Sequence, residues 1–148
     1  MSEEQADERQ FAIQRIYTKD ISFESPGSPM VFLQQWKPEI EVGLNTNAHP
    51  LKDDNVEVVL SVNIEATQEE KTVFLIEVQQ AGIFLVKGFN EEQKAPLLNI
   101  NAPGALFPYA REVVSDLISR GSLPPLVLQP VNFEALYAQQ QAAKQKKH

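Results

Sequence analysis

The sequence contains no cysteine, which excludes disulfides, thiolate metal sites and cysteine nucleophiles. Histidine is nearly as scarce. His49 precedes a proline in a polar stretch and His148 is the last residue, so neither joins a metal or catalytic constellation. Long apolar runs are missing too, none approaching the ~20 residues of a membrane span. The opening Met1-Ser-Glu-Glu-Gln-Ala-Asp-Glu is polar where a signal peptide would be apolar. A soluble, cytoplasmic protein without membrane insertion is expected. A glycine-rich phosphate loop is also lacking, since Gly82 and Gly88 stand apart and no Gly-Lys-Ser/Thr occurs. Asp53-Asp54 and Glu69-Glu70 fall in turns, where solvated charge is the ordinary state. Asp20 with Glu24, and separately Glu77, have no nearby residue to orient them as an acid and a base. No catalytic, cofactor-binding or metal-binding residue and no cofactor are therefore expected, and the chain does not read as an enzyme.

What is present is the material of one domain. A chain of 148 residues can bury a real core. Its net charge of -7, with basic residues scattered apart from Lys144, Lys146 and Lys147, argues against nucleic acid and for neutral or basic partners. Residues 1–10 are acidic and aperiodic and read as a disordered arm. From Phe11 to Glu24 apolar residues alternate with polar ones. Phe11, Ile13, Tyr17, Ile21 and Phe23 form the buried side, with Asp20 and Glu24 on the other. Arg15 and Ile16 break this pattern, as a bulge or a subunit contact would. Ser25-Pro-Gly-Ser-Pro ends the strand. The apolar stretch Met30 to Trp36 then either plugs the core or lines a groove.

A second strand over Ile40, Val42 and Leu44 closes in a turn region from Asn45 to Asn55, and a third runs from Val56 to Glu65. The turn Gln68-Glu-Glu-Lys71 leads into a fourth, Thr72 to Gly88, expected to bend or bulge at Gly82. Its Phe74, Ile76, Val78 and Gln80 share one side, and Val73, Leu75, Glu77 and Gln79 the other. Short links among consecutive strands imply an antiparallel meander. Asn90 to Gly104 reads as mostly irregular. A helix is predicted from Phe107-Pro108 to Arg120, with Leu106, Ala110, Val113, Val114, Leu117 and Ile118 as its apolar stripe and Gly121 as its stop. Leu123 to Pro130 is an extended apolar connection, and Asn132 caps a last helix from Phe133 to about Ala143. Residues 144–148 form a frayed basic tail. The fold class is α+β, a four-stranded antiparallel sheet followed by two helices, as a single domain over residues 11–143.

Four blocks carry a resemblance. Phe11-Ala-Ile-Gln-Arg-Ile-Tyr-Thr-Lys-Asp-Ile-Ser-Phe-Glu, Phe74-Leu-Ile-Glu-Val-Gln-Gln-Ala-Gly-Ile-Phe, Leu106-Phe-Pro-Tyr-Ala-Arg-Glu and Pro130-Val-Asn-Phe-Glu-Ala-Leu-Tyr resemble, in order and spacing, the SecB family of bacterial protein-export chaperones. The resemblance implies a cytoplasmic homotetramer, a dimer of dimers, that holds secretory precursors unfolded without ATP and hands them to the export ATPase SecA. It also implies helices on one side of the sheet and strands pairing across subunits. The SecA-binding positions of the family match Asp20, Glu24, Leu75 and Glu77 here.

A binder of unfolded chains needs a long apolar groove with aromatic walls and a free strand edge. Phe32, Leu33 and Trp36 are the first candidates for its wall, with Phe84, Leu126 and Phe133 after them, though each fits the core equally well. Negative charge around such a groove would favour basic clients. A reading from another class is an assembly domain whose apolar surface is used up by self-association.

Overall fold

The computed structural model describes residues 8–146. Four antiparallel strands, β1 (Gln10–Glu24), β2 (Glu39–Pro50), β3 (Asn55–Gln68) and β4 (Lys71–Lys87), form one sheet in the order β1-β4-β3-β2. The hairpins β2-β3 and β3-β4 give the expected meander. β1 lies beside β4, so the chain between β1 and β2 crosses from one edge of the sheet to the other. Helices follow on one face: α1 (Glu91–Pro96), a π-helical stretch (Leu97–Asn101), α2 (Ala102–Arg120) and α3 (Phe133–Lys146). No helix among the described residues is long and apolar enough to cross a membrane.

The alternation of β3 and β4 decides which face the helices cover. Val58, Leu60, Val62, Ile64, Phe74, Ile76, Val78 and Phe84 are at most 2% exposed, and they meet Leu106, Ala110, Val114 and Ile118 of α2 in one core. Gln80 is the buried polar residue of this face, and its Oε1 accepts the Thr18 hydroxyl at 2.9 Å. On β1 the register against β4 shifts twice, between Ile13 and Arg15 and between Thr18 and Asp20. The first bulge turns Ile16 to the helix side and Tyr17 away from it. The second returns Ile21 and Phe23 to the helix side. This resolves the Arg15/Ile16 irregularity as a bulge and corrects Tyr17, which sits opposite Ala81 on the outer face.

Several expectations need correction. β2 continues through Asn45, Asn47 and His49 to Pro50, all paired with β3. Polar residues suit its outer face, and a proline is tolerated at the end of an edge strand. The β2-β3 turn is correspondingly short, with Asp53 and Asp54 both at positive φ. β4 runs through Gly82 in unbroken register with β3. That glycine answers to packing, because a Cβ there would lie 3.1 Å from Leu106 Cδ2 and 3.0 Å from the Arg15 carbonyl oxygen. The segment after Asn90 is helical. Asn90 accepts the Gln93 N–H at 2.8 Å and Gln93 Oε1 accepts the Asn90 N–H at 3.0 Å, a capping box that sets α1. Pro103, not Pro108, takes the early position of α2. Pro108 lies inside the helix, where it and Gly104 are both exposed, so the helical bond that Pro108 cannot donate is missing at the solvent side. The π stretch precedes Pro103, and its Leu97 carbonyl accepts the Ala102 N–H.

Helix α2 ends at Arg120 as expected, and Ser122 takes the left-handed conformation just beyond Gly121. Asn132 caps α3 through a 3.0 Å bond to the Ala135 N–H. α3 extends to Lys146 rather than fraying after Ala143. Of the acidic arm expected over residues 1–10, residues 1–7 lie outside the described residues and Gln10 already opens β1; the last two residues of the basic tail also lie outside them.

Candidate functional site

The outer face of the sheet is built in rows by strand register. One row runs Glu24, Leu75, Glu65, Glu41 across all four strands, and the next runs Ser22, Glu77, Asn63, Gly43. Asp20 opens a third row, opposite Gln79. With strands ~4.8 Å apart, Asp20, Glu24, Leu75 and Glu77 form one contiguous patch in which the three carboxylates are exposed and Leu75 is half-buried. The second bulge of β1 makes this possible by bringing Asp20 into the outer-face rows. A shallow depression of about 390 Å³ adjoins the patch, bounded by Glu41, Glu65, Leu75 and Glu77 and opened by the missing side chain of Gly43. Among the described residues none of these carboxylates forms an ion pair.

The other end of the same face is neutralised. Lys19 Nζ lies 3.0 Å from both Glu57 oxygens, and the Tyr17 hydroxyl donates to Glu57 Oε2. The Tyr17 bond lowers the Glu57 carboxyl from its ordinary value, with Lys19 adding to the effect. Burial first, and then Glu57, push the Tyr17 hydroxyl up to about 12. Sequence reading missed this trio because Tyr17 reads as a core residue until the first bulge is known.

The second surface is an apolar groove of about 560 Å³ on the helix side, between edge strand β2 and the connection from α2 to α3. Ile40, Val42 and Leu44 form one wall, Leu126, Val127 and Val131 the other, with Phe107 and Leu136 also lining it. Val42 is 47% exposed and Val127 71% exposed. Among the described residues no charged side chain lines the groove. β2 is an edge of the sheet, so among the described residues backbone N–H and C=O groups along this wall have no strand partner on that side. Among the described residues no group of three or more His, Asp or Glu side chains is arranged to hold a metal ion.

The six residues expected at a groove divide. Leu126 lines it. Phe133 is 8% exposed and packs edge-on against Phe107, with ring centroids 6.0 Å apart, so it supports the groove from within. Phe84 is fully buried, stacked on Phe11 at 5.6 Å, and belongs to the core. In the crossover stretch Val31 plugs the core and Trp36 packs half-buried against it, while Phe32 and Leu33 are 48% and 80% exposed. This stretch is both plug and surface. Gln68 ties it down, accepting the Lys37 N–H at 2.7 Å and donating to the Gln35 carbonyl at 3.0 Å. From there the chain passes directly into Ile40 of the groove wall. The missed residues Ile40, Val42, Leu44 and Val127 carried the same signal used for Met30 to Trp36, apolar side chains at an edge or in a connection.

The comparisons with known proteins agree on one family. Residues 4–144 match the family described as preprotein translocase subunit SecB. Protein-export protein SecB of Methylococcus capsulatus is 53% identical over 141 residues, covering 95% of this chain and 91% of that one. Its counterpart in Alcanivorax borkumensis is also 53% identical, over 95% and 92% of the two chains. That of Nitrosococcus oceani is 51% identical over 96% and 88%. The same fold occurs in a SecB-like chaperone of Mycobacterium tuberculosis, solved in complex with an antitoxin peptide, at a TM-score of 0.66 and 20% identity over 87% of this chain and 91% of that one. With a match along nearly its whole length, the chain belongs to the SecB family, non-enzymatic chaperones of protein export.

Proposed function

We propose that this protein is an ATP-independent holdase of the cytoplasm that keeps secretory precursors unfolded and delivers them to SecA, working as a homotetramer built as a dimer of dimers. The observation that carries the proposal is the uncharged groove beside a free strand edge. Val42 and Val127 expose apolar surface there without a covering element, and the β2 backbone offers hydrogen bonds to an extended chain. Only an unfolded polypeptide supplies both apolar side chains and unpaired backbone. The related chaperone that was solved with a bound peptide supports this use of the fold. Binding the unfolded state shifts the folding equilibrium by mass action, so no nucleotide is needed.

SecA is assigned to the opposite face of the sheet. Asp20, Glu24, Leu75 and Glu77 match the family's SecA-binding positions, and their adjacency across β1 and β4 supports the carry-over. Two surfaces on opposite sides of one sheet allow client and ATPase to be held together. Self-association is supported by Ile13 and Ile21, 50% and 47% exposed on the helix side of edge strand β1, and by Tyr109, 51% exposed on α2. The same surface sustains the alternative of a pure assembly domain, in which no apolar surface stays available after oligomerisation.

The test is refolding of a denatured secretory precursor with increasing amounts of the native protein and no nucleotide. Slowing in proportion to concentration, with no binding to the folded precursor, is the expected result. Unchanged refolding, with no apolar dye bound to the native oligomer, would leave the assembly reading in its place.

A further inference from the structure

Strand β1 carries a lysine inside the acidic patch that the structure turns away from it. Adjacent residues of a regular strand point to opposite faces. The bulge between Thr18 and Asp20 instead leaves Lys19 as an extra residue, and both Lys19 and Asp20 lie on the outer face. An ammonium group next to Asp20 would neutralise the very charge that a basic partner reads. Lys19 reaches the other way. Its side chain crosses β4 to Glu57 on β3, both carboxylate oxygens lying 3.0 Å from Nζ. Glu57 is fixed there because Tyr17, from the same side, donates to it. Ala81 beneath them is fully buried, a small residue where two long side chains must pass. The Glu57 side chain is 12% exposed while that of Lys19 is 46% exposed, so the carboxylate is the more enclosed member of the pair and the lysine the more accessible one.

We infer that Glu57 is a positioning residue for the acidic docking face: by holding Lys19 over β3 it keeps Asp20, Glu24 and Glu77 uncompensated for a basic surface of SecA. The inference rests on the assignment of SecA to this face. Glu57 itself need not touch the partner. Its loss would free Lys19 to pair with Asp20, its neighbour in sequence, and lower the local negative potential that draws in a basic partner.

The experiment is a double-mutant cycle on SecA affinity with the full-length protein, using Glu57→Gln, Lys19→Gln and the pair. Glutamine keeps the shape of the side chain and an acceptor for Tyr17, and client capture in the same preparations checks the fold. Glu57→Gln should weaken SecA binding about two- to fivefold at low salt, the range that one exposed ion pair spans, and lose that difference at ~0.5 M salt. Lys19→Gln should change little alone but restore wild-type affinity to the Glu57→Gln protein, a non-additive cycle. Additive effects would mean that net charge alone matters, and failure of the pair to recover would make Glu57 merely structural. Either result overturns the inference, as does unchanged affinity in Glu57→Gln. Glu77→Lys separates the two levels. If it leaves SecA affinity unchanged, the docking face itself is wrong. If it weakens binding while Glu57→Gln does not, only the positioning role falls.

Discussion

Tyr17 and Glu57 share one hydrogen bond that favours opposite protonation states in the two groups. The carboxylate accepts, so the bond is strongest with Glu57 ionised and Tyr17 protonated. The Glu57 carboxyl is lowered, mainly by Tyr17, and its stabilisation is therefore present above the unfolded carboxyl range and lost as pH falls through the folded value. Tyr17 is raised to about 12, so its contribution is complete below pH ~10 and disappears as pH climbs toward 12. The stability difference between wild type and Tyr17→Phe should be flat across neutral pH, about 1 kcal/mol for one hydrogen bond, and shrink at both extremes. Urea unfolding at fixed protein concentration across pH 3 to 11 would show this, and a difference independent of pH would remove the bond from the account. Val127 offers a cleaner test of the groove than Trp36, which packs half-buried against the core. Val127 is 71% exposed, so Val127→Asp should leave the unfolding midpoint within ~0.5 kcal/mol while weakening client capture at least severalfold. Capture at wild-type strength would exclude this wall.

Both β-hairpins close on two acidic residues in the left-handed region, Asp53 and Asp54 at φ 59° and 63°, Glu69 and Glu70 at 54° and 65°. Such turns favour Asn-Gly, because their backbone twist matches the strands while ordinary side chains crowd the carbonyl. Glu69 and Glu70 are exposed and no hydrogen bond or ion pair among the described residues involves their side chains. Glu70→Gly should relieve ~1–2 kcal/mol of backbone strain and give back ~0.5–1 kcal/mol in entropy, a net gain of about 0.5–1 kcal/mol seen as a higher urea midpoint. A lower midpoint would show that glutamate has a partner in the assembled protein. The β3-β4 turn, the strand count, the α2 stripe and the Asn132 cap were legible because each leaves a local pattern, such as the alternation of Val58 to Ile64. Bulges leave none. Gln14 and Lys19 look like ordinary polar residues of a strand, and only pairing with β4 reveals that each shifts the register. The helical turns after Asn90 escaped for another reason: Pro96 and Pro103 read as breaks, whereas Pro96 ends α1, Pro103 takes the early position of α2, and the Asn90/Gln93 capping box starts the run.

At the scale of the whole molecule, one sheet separates two surfaces of different physics. The groove is uncharged and the outer face carries uncompensated carboxylates. The acidic positions were legible through the family resemblance, but their adjacency rests on β1 lying beside β4 and on the second bulge that sets its register. The groove was not, because Leu126 and the wall of β2 come from distant parts of the chain and meet only when β2 is the sheet edge. Salt should therefore divide the two activities. Surface charges more than a Debye length apart are screened, about 10 Å at 0.1 M and far less at 1 M, whereas burial of apolar area does not weaken with salt. Raising sodium chloride from 50 mM to 500 mM should weaken SecA binding at least severalfold and leave capture of an uncharged, apolar unfolded peptide unchanged or slightly stronger. Glu77→Lys should mimic the salt effect on SecA binding at 50 mM and leave peptide capture alone. If instead both bindings fall together, with salt or with Glu77→Lys, then client and SecA share a surface, and a sheet holding one partner on each side is not how this protein works.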